Sequence, residues 1–224
     1  MNWFAQTFTS VAGRKFIAAL TGLGVVLFLT VHLAGNLQIF SPTDALDAYA
    51  KALHDGPLIV LGDVGLLIMF PLHIIAVLSL ARDNRRARGP QGYKVSGSKQ
   101  TRGALAVLTS KMTVIGGLLL MFFVGAHVWH FRLRHAEIEA SGIGIKQEII
   151  NQLSNPMWGA LYIVGSLLVG WHLFHGLQAA FRSLGVWHPR YTPLITRAGF
   201  GLSLVLALGF AAIPAWILFF KGGV

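Results

Sequence analysis

Five long apolar runs dominate this chain of 224 residues and limit what it can fold into. A helix needs about 20 apolar residues to cross the ~30 Å hydrocarbon core of a membrane, and each run is longer than that. The chain is 54% hydrophobic and only 12% charged, which is about half the charged share of soluble domains. We therefore expect one all-α membrane domain over residues 1–224, with five transmembrane helices near residues 16–40, 57–81, 105–131, 156–181 and 193–220.

The first run and the connecting segments need separate interpretation. The first run is too long for a signal-peptide core and lacks a small-residue cleavage pattern, so we expect a retained helix. Segments 43–53 and 143–153 have the pattern of short amphipathic helices near the membrane surface. Asn155 stands directly before Pro156, and Asp55 stands two residues before Pro57, so either side chain can cap the first turn of the helix that follows.

The distribution of charge predicts an orientation. The chain carries 18 Lys and Arg against 8 Asp and Glu, a formal net charge of +10. Because Lys and Arg favour the cytoplasmic side, we expect the N-terminus inside and the C-terminus outside, with 13 of the 18 cations at the inner side. All acids except Asp83 then lie at the outer side. The lipid bilayer explains the charge without a nucleic-acid partner.

Buried histidines are the strongest functional signal. The chain has no cysteine, so thiolate metal sites, iron–sulfur ligation and cysteine nucleophiles are excluded, and nine histidines remain as metal ligands. Four of them lie inside the first four runs, one in each: His32, His73, His127 and His175. An ionisable side chain at such depth indicates function, and four in this distribution are poorly explained as packing residues.

The four histidines fall at two depths. His73 and His175 lie nine and seven residues from an arginine at the inner end of their runs, or about 10 to 14 Å along a helix. His32 and His127 lie 17 and 16 residues from an inner lysine, or about 24 to 26 Å. The sequence thus predicts an inner pair and an outer pair.

Two histidine pairs at two depths are what two six-coordinate haems stacked across a membrane require, and bis-imidazole ligation suits electron transfer. Zinc or di-iron sites need more ligands at one level, often with carboxylates, and the runs offer only Asp63. His130 and His172 stay open as alternative ligands, because each lies three residues from a favoured one on the same helix face.

Neighbouring residues fit the same interpretation. We expect four glycines near the favoured histidines to give a flat macrocycle room beside the backbone: Gly35, Gly125, Gly170 and Gly176. The histidines in loops or at the interface are expected to be solvated: His54, His135 and His188.

Short sequence words surround these histidines. They are SVAGRKF at 10–16, ALTG at 19–22, VHLAGN at 31–36, LHII at 72–75, RDNR at 82–85, GAH at 125–127, HLFHG at 172–176 and FRSLG at 181–185. Together they resemble the cytochrome b subunit of succinate:quinone oxidoreductases, and most closely the single-chain, five-helix, two-haem type of succinate dehydrogenases and fumarate reductases. The resemblance covers nearly the whole chain.

The resemblance implies two haems b and a role in a larger enzyme. His32 and His127 would ligate the distal haem, and His73 and His175 the proximal one, with His175 preferred because the family's ligand is followed by glycine. It also implies a flavoprotein subunit and an iron–sulfur subunit as partners, a quinone, expected to be menaquinone, as electron carrier, and a bacterial cytoplasmic membrane. This chain alone is expected to do no dicarboxylate chemistry.

Quinone and propionate contacts are a further set of expectations. Asp63 stands where relatives often have a glutamate near the quinone, and a carboxylate buried in the span favours proton handling. Asp55 is a second candidate, although a helix cap also explains it. Expected propionate contacts are Arg14, Lys15, Ser110, Lys111 and Arg182. Expected quinone or distal-haem contacts are Asn36 and Trp129, the latter also typical of an interfacial aromatic belt.

Two alternative functions remain at the level of sequence. A haem b subunit of a membrane hydrogenase or formate dehydrogenase also uses histidines within the membrane, with spacing that fits this chain less well. A proton-coupled transporter would hold no haem, and it favours interrupted helices with internal symmetry.

Overall fold

The computed structural model describes residues 3–89 and 104–221, with the backbone alone at residues 4, 5, 104–111 and 221. The described residues form nine α-helices and no strand. They are α1 (Trp3–Thr9), α2 (Val11–Asn36), α3 (Ala45–His54), α4 (Leu58–Arg88), α5 (Ala104–His127), α6 (His135–Ala140), α7 (Ile145–Leu153), α8 (Pro156–Ser183) and α9 (Thr192–Trp216).

Five of these helices confirm the predicted fold class. Helices α2, α4, α5, α8 and α9, with the short helical segments that continue three of them, are long and apolar enough to cross a membrane. The chain is a multi-pass membrane protein. The two predicted amphipathic segments are also helical, as α3 and α7.

The helix ends differ from the apolar runs for a physical reason. Helix α2 begins at Val11, five residues before the expected start, because the side chain of Ser10 accepts a 3.0 Å hydrogen bond from the backbone N–H of Gly13. Helix α4 continues to Arg88 and ends at Gly89, whose φ is 66°. Hydropathy marks the part of a helix that lies in lipid, whereas polar turns beyond the lipid can stay helical.

One predicted cap is confirmed and the other is wrong. Oδ1 of Asn155 accepts a 3.0 Å hydrogen bond from the backbone N–H of Met157, so this residue caps α8 as expected. Asp55 instead ends α3, and its carboxylate lies 3.1 Å from Nζ of Lys51. Helix α4 starts after Pro57 without a side-chain cap, since Asp55 lies at the end of α3 instead.

Helix α8 is the centre of the bundle. It packs against α9, α5 and α2, whereas α4 packs mainly on α2. A Cβ built on Gly170 would lie 2.4 Å from Cβ of Ala207 and 2.9 Å from the carbonyl oxygen of Ser203, so only glycine lets α8 approach α9 this closely. Leu173 and Leu206 fill the buried interior beside this contact.

The two ends of the bundle have opposite charge. At the acidic end, near α3, α6 and α7, stand seven of the eight Asp and Glu residues of the chain. Oδ1 of Asp47 on α3 there accepts a 3.1 Å hydrogen bond from the backbone N–H of Lys146 on α7. At the basic end, Nη2 of Arg14 lies 2.6 Å from Oδ2 of Asp83, joining the start of α2 to the end of α4. The predicted cytoplasmic side corresponds to the basic end.

Candidate functional site

The outer pair of histidines comes together near the acidic end. His32 on α2 and His127 at the end of α5 have ring centroids 5.7 Å apart, with the ring planes at 84°. Phe28 stacks on His32 at 5.2 Å, and Tyr162 of α8 lies 5.9 Å from the ring of His127. Three helices therefore enclose this pair in aromatic side chains.

Asn36 and Trp129 lie in different settings. The side-chain amide of Asn36 donates a 2.7 Å hydrogen bond to the carbonyl oxygen of His32 and also lies 3.3 Å from Nδ1 of that ring. It therefore contacts a member of the outer pair directly. Trp129 is 60% exposed, as expected of a side chain in an interfacial aromatic belt.

His130, one alternative for the outer pair, is engaged elsewhere. It is only 4% exposed, and its Nδ1 lies 3.1 Å from the hydroxyl oxygen of Tyr162. Trp158 packs edge-on against the same ring at 4.2 Å. The hydrogen bond and the packing account for this buried histidine, so the geometry favours His127 as the functional member.

His73 is held by the backbone of a neighbouring helix. Its Nδ1–H donates a 3.0 Å hydrogen bond to the carbonyl oxygen of Ala18 on α2, and Oγ1 of Thr21 lies 3.3 Å from the same nitrogen. With the proton on Nδ1, the other ring nitrogen, Nε2, has a free lone pair. Histidines that bind metals commonly have this arrangement, in which a carbonyl fixes the tautomer.

The ring beside His73 is that of His172. The two ring centroids are 6.5 Å apart with the planes at 74°, and Nδ1 of His172 is buried with no hydrogen-bond partner in the described part of the chain. His175, the residue preferred from the sequence, lies three residues further along α8 and is half-buried. Spacing along one helix could not distinguish them, because which of the two rings faces His73 depends on the rotation of α8 within the bundle.

The glycines that touch these rings are not the expected ones. A Cβ on Gly22 would lie 3.1 Å from Cε1 of His73, and one on Gly117 would lie 3.4 Å from Cε1 of His172. The expected residue Gly35 instead faces Tyr49, and Gly170 faces α9. A Cβ on either of the other two expected glycines, Gly125 and Gly176, would meet nothing within 4 Å.

Asp63 was expected to be buried within the span, but its side chain is partly exposed and is paired with an arginine. Nε of Arg132, at the end of the α5 segment, donates a 3.0 Å hydrogen bond to Oδ2 of Asp63, and Nη2 donates to the same oxygen. The side chain of Asp63 is 39% exposed and that of Arg132 is 45% exposed, because this first part of α4 lies near the bundle surface. Asp55 is more exposed still and pairs with Lys51.

The expected propionate contacts are spread along the basic end. Arg14 is paired with Asp83, and Lys15 is exposed. The guanidinium carbon of Arg182 lies 4.4 Å from the ring centre of Trp187. Ser110 and Lys111 lie outside the side chains that the structure describes.

Two histidines that were expected to be solvated stack on each other. The rings of His54 on α3 and His135 on α6 are 3.8 Å apart and nearly parallel, at 16°. The sequence carries no signal for this contact, because the two residues are 81 positions apart and belong to different connecting segments. His188 is exposed, and its Nδ1 accepts a 3.2 Å hydrogen bond from the backbone N–H of Arg190.

Each of these two sites offers two imidazole ligands. Within residues 3–89 and 104–221, no three His, Asp or Glu side chains converge in a way that could hold a bare metal ion. The geometry provides instead two imidazole pairs, each built from two different helices.

Comparison with known proteins gives a partial match. Over 66 residues the chain is 30% identical to the succinate dehydrogenase hydrophobic membrane anchor subunit of Thermoplasma acidophilum, an alignment that covers 29% of this chain and 49% of that protein. The chain is similar to a complex II membrane anchor. It spans about half the length of the curated relative that it matches. No family model and no solved structure matches the chain.

Proposed function

We propose that this chain is the membrane-anchor cytochrome b subunit of a succinate:quinone oxidoreductase, and that it passes electrons through two bis-histidine haems b to or from a quinone. The observation that carries the proposal is the presence of two imidazole pairs, each from two helices, at two levels of one bundle. The partial similarity to a succinate dehydrogenase membrane anchor supports the same assignment.

The ring separations fit ligands that share one iron. An imidazole nitrogen lies about 2 Å from a bound metal ion, so two imidazoles on opposite sides of one ion have ring centres about 6 Å apart. The observed separations are 5.7 Å for His32 and His127 and 6.5 Å for His73 and His172. Both values agree with the expected spacing.

The ring nitrogens of His73 and His172 and the glycines beside them also support haem ligation. The Nδ1–H of His73 is satisfied by the carbonyl oxygen of Ala18, which leaves Nε2 to face an iron. Nδ1 of His172 is buried and unpartnered, a costly state that a ligand relieves. Gly22 and Gly117 leave space against the two rings, where a larger side chain would interfere with a planar group.

We assign the ligands on this basis. His32 and His127 hold the distal haem, as the sequence predicts. His73 and His172 hold the proximal haem, with His172 in place of the His175 expected from the sequence. Two haems held by these histidines would supply one-electron transfer.

Quinone chemistry is placed at the acidic end. Asp63 lies there beside Arg132, close to the surface and ten residues before His73. We assign its carboxylate to proton exchange with the quinone and the arginine to holding that carboxylate in place. The quinone is menaquinone, and the chain spans a bacterial cytoplasmic membrane with its basic end inside.

The partners are placed at the other end. A flavoprotein subunit carries out the dicarboxylate chemistry, and an iron–sulfur subunit passes electrons to the proximal haem from the basic end. The haems, rather than cysteine-bound clusters, carry electrons within this chain, because it has no cysteine.

The test is a haem assay and a reduced-minus-oxidised spectrum of the purified, full-length chain. Two b-type haems per polypeptide are expected, and tagged chain from native membranes is expected to copurify with a flavoprotein and an iron–sulfur protein. A chain that is folded and contains no haem would contradict the proposal. Two haems together with a hydrogenase or formate dehydrogenase as partner would reject the complex II assignment alone.

A further inference from the structure

Arg182 lies where α8 turns into α9 at the basic end. Helix α8 ends at Ser183, the chain reverses at Gly185 with φ 78°, and Arg182 packs its guanidinium over Trp187 at 4.4 Å. Nε of Arg182 is buried and has no hydrogen-bond partner among the described residues. A buried donor on a charged group is costly when it is left unsatisfied.

The Asp and Glu side chains of this chain leave that charge without a counterion. Seven of the eight stand at the acidic end, on the opposite side of the bundle. The eighth, Asp83, is paired with Arg14 on a different helix pair. The sequence of residues 90–103 contains neither Asp nor Glu. The anion that pairs with Arg182 therefore comes from outside the acidic side chains of this protein.

The surroundings of Arg182 indicate which anion it binds. Trp187 is 49% exposed and, with the exposed Tyr191, forms the kind of aromatic edge that lies among lipid headgroups. A pocket of about 10 Å³, large enough for one water-sized group, lies beside the guanidinium and is lined in part by Gln178, Thr192 and Thr196. Guanidinium forks match phosphate oxygens, and basic sites between transmembrane helices bind anionic headgroups.

The depth of Arg182 separates this site from the haem ligands. It lies ten residues beyond His172 on α8, or about 15 Å along the helix axis. That distance puts it at the helix end, level with the interfacial aromatic residues and away from the histidine pairs. The earlier expectation of a propionate contact is replaced here by a ligand from the membrane.

We propose that the elbow formed by Arg182 and Trp187 binds the phosphate group of an anionic phospholipid in the leaflet at the basic end. The guanidinium supplies the charge and the donors, Trp187 lies over it at 4.4 Å, and Gln178, Thr192 and Thr196 line the pocket where one phosphate oxygen would enter. The proposal is independent of the haem assignment, since it concerns only this helix end.

The test compares lipid binding by the purified full-length protein and its variants. Phosphatidylglycerol bound to the protein is counted by native mass spectrometry during competition with phosphatidylcholine. One arginine near a membrane surface contributes about 1 kcal/mol, so Arg182→Gln is expected to weaken phosphatidylglycerol binding about fivefold. Arg86→Gln removes an exposed arginine at the same end of the bundle and is expected to bind as the wild type does.

Three results would overturn the proposal. They are equal binding by Arg182→Gln and wild type, an equal loss in Arg86→Gln, and phosphatidylcholine that competes as well as phosphatidylglycerol. If inorganic phosphate raises the Tm of the wild type as much as phosphatidylglycerol does, the ligand is free phosphate and the lipid is rejected. If Arg182→Gln does not fold, Arg182→Lys carries the test, with weaker binding expected because lysine lacks the guanidinium fork.

Discussion

Nδ1 of His73 on α4 lies 3.0 Å from the carbonyl oxygen of Ala18 on α2, so the backbone of one transmembrane helix fixes a ring on another. The next turn of α2 places Gly22 beside Cε1 and Nδ1 of the same ring. A histidine that binds a metal commonly has its tautomer fixed by a carbonyl, and α2 provides that carbonyl here. This relationship leads directly to the first prediction.

Gly22→Val is expected to displace the ring of His73 and to release the proximal haem. Even the first added atom, Cβ, would lie 3.1 Å from Cε1 of His73, and the two methyl groups need more room. The haem content of the purified variant should fall from two to one per chain, and the distal spectral component should remain. Gly62→Val on α4 is the matched control, since its Cβ meets nothing within 4 Å. Equal haem loss in both variants would contradict the prediction.

Asp63→Asn is expected to lower quinone-linked electron transfer in the assembled complex by about a hundredfold, the scale of general acid–base catalysis, with both haems retained. Arg132→Gln breaks the same ion pair but keeps the carboxylate, so its loss should be markedly smaller. A half-exposed ion pair stabilises a protein by at most about 1 kcal/mol, so both variants should unfold within a few degrees of the wild type. Equal loss of turnover in the two variants would show that Asp63 acts only through its ion pair with Arg132 and not in proton exchange.

Asp47→Ala is expected to loosen the packing of α3 on α7. Oδ1 of Asp47 accepts a hydrogen bond from the backbone N–H of Lys146, and losing a hydrogen bond to a charged group costs about 1.5 to 3 kcal/mol. The Tm in detergent should therefore fall by several degrees. Asp44→Ala removes an exposed carboxylate that caps nothing, three residues earlier, and should leave the Tm unchanged. A similar Tm for the two variants would mean that the hydrogen bond contributes no stability.

Gly170→Leu is expected to separate α8 from α9 and to destabilise the whole bundle. The added Cβ would overlap Cβ of Ala207 and approach the carbonyl oxygen of Ser203, and backbone cannot move aside as a side chain can. Overpacking of this kind costs about 1 to 3 kcal/mol or more. Gly201→Leu on α9 serves as the control, since a Cβ at Gly201 would meet nothing within 4 Å. Thermal unfolding of the two variants checks the prediction, which fails if both unfold together.

The fold could be predicted from the sequence because membrane helices depend on local composition. Each apolar run is long enough to specify its own helix, and the cap at Asn155 was readable from the proline that follows it. The interpretation of Asp55 failed because the same residue also ends α3, and a short amphipathic helix is more difficult to delimit than an apolar run. The sequence did not predict the polar last turns of α4, because hydropathy indicates only which part of a helix lies in lipid. It does not indicate where the backbone hydrogen bonds of the helix end.

The site could be predicted only to the level of depth. Counting residues along each helix predicts that His32 lies at the depth of His127. It also predicts that His73 lies near the depth of the histidines on α8, because the rise per residue is constant. Spacing alone does not distinguish His172 from His175, because the rotation of α8 about its own axis depends on packing between helices. The partner of Asp63 was missed for the same reason, since Arg132 is 69 residues away in the sequence.

The most direct test of the two-pair arrangement is a set of reduced-minus-oxidised spectra, with haem content, for five single variants of the purified chain. His73→Ala and His172→Ala should each lose one haem and the same spectral component. His32→Ala and His127→Ala should lose the other component, and His175→Ala should keep both haems. Loss of one component by His73→Ala together with loss of the other by His172→Ala, or full haem content in all five variants, would contradict the account.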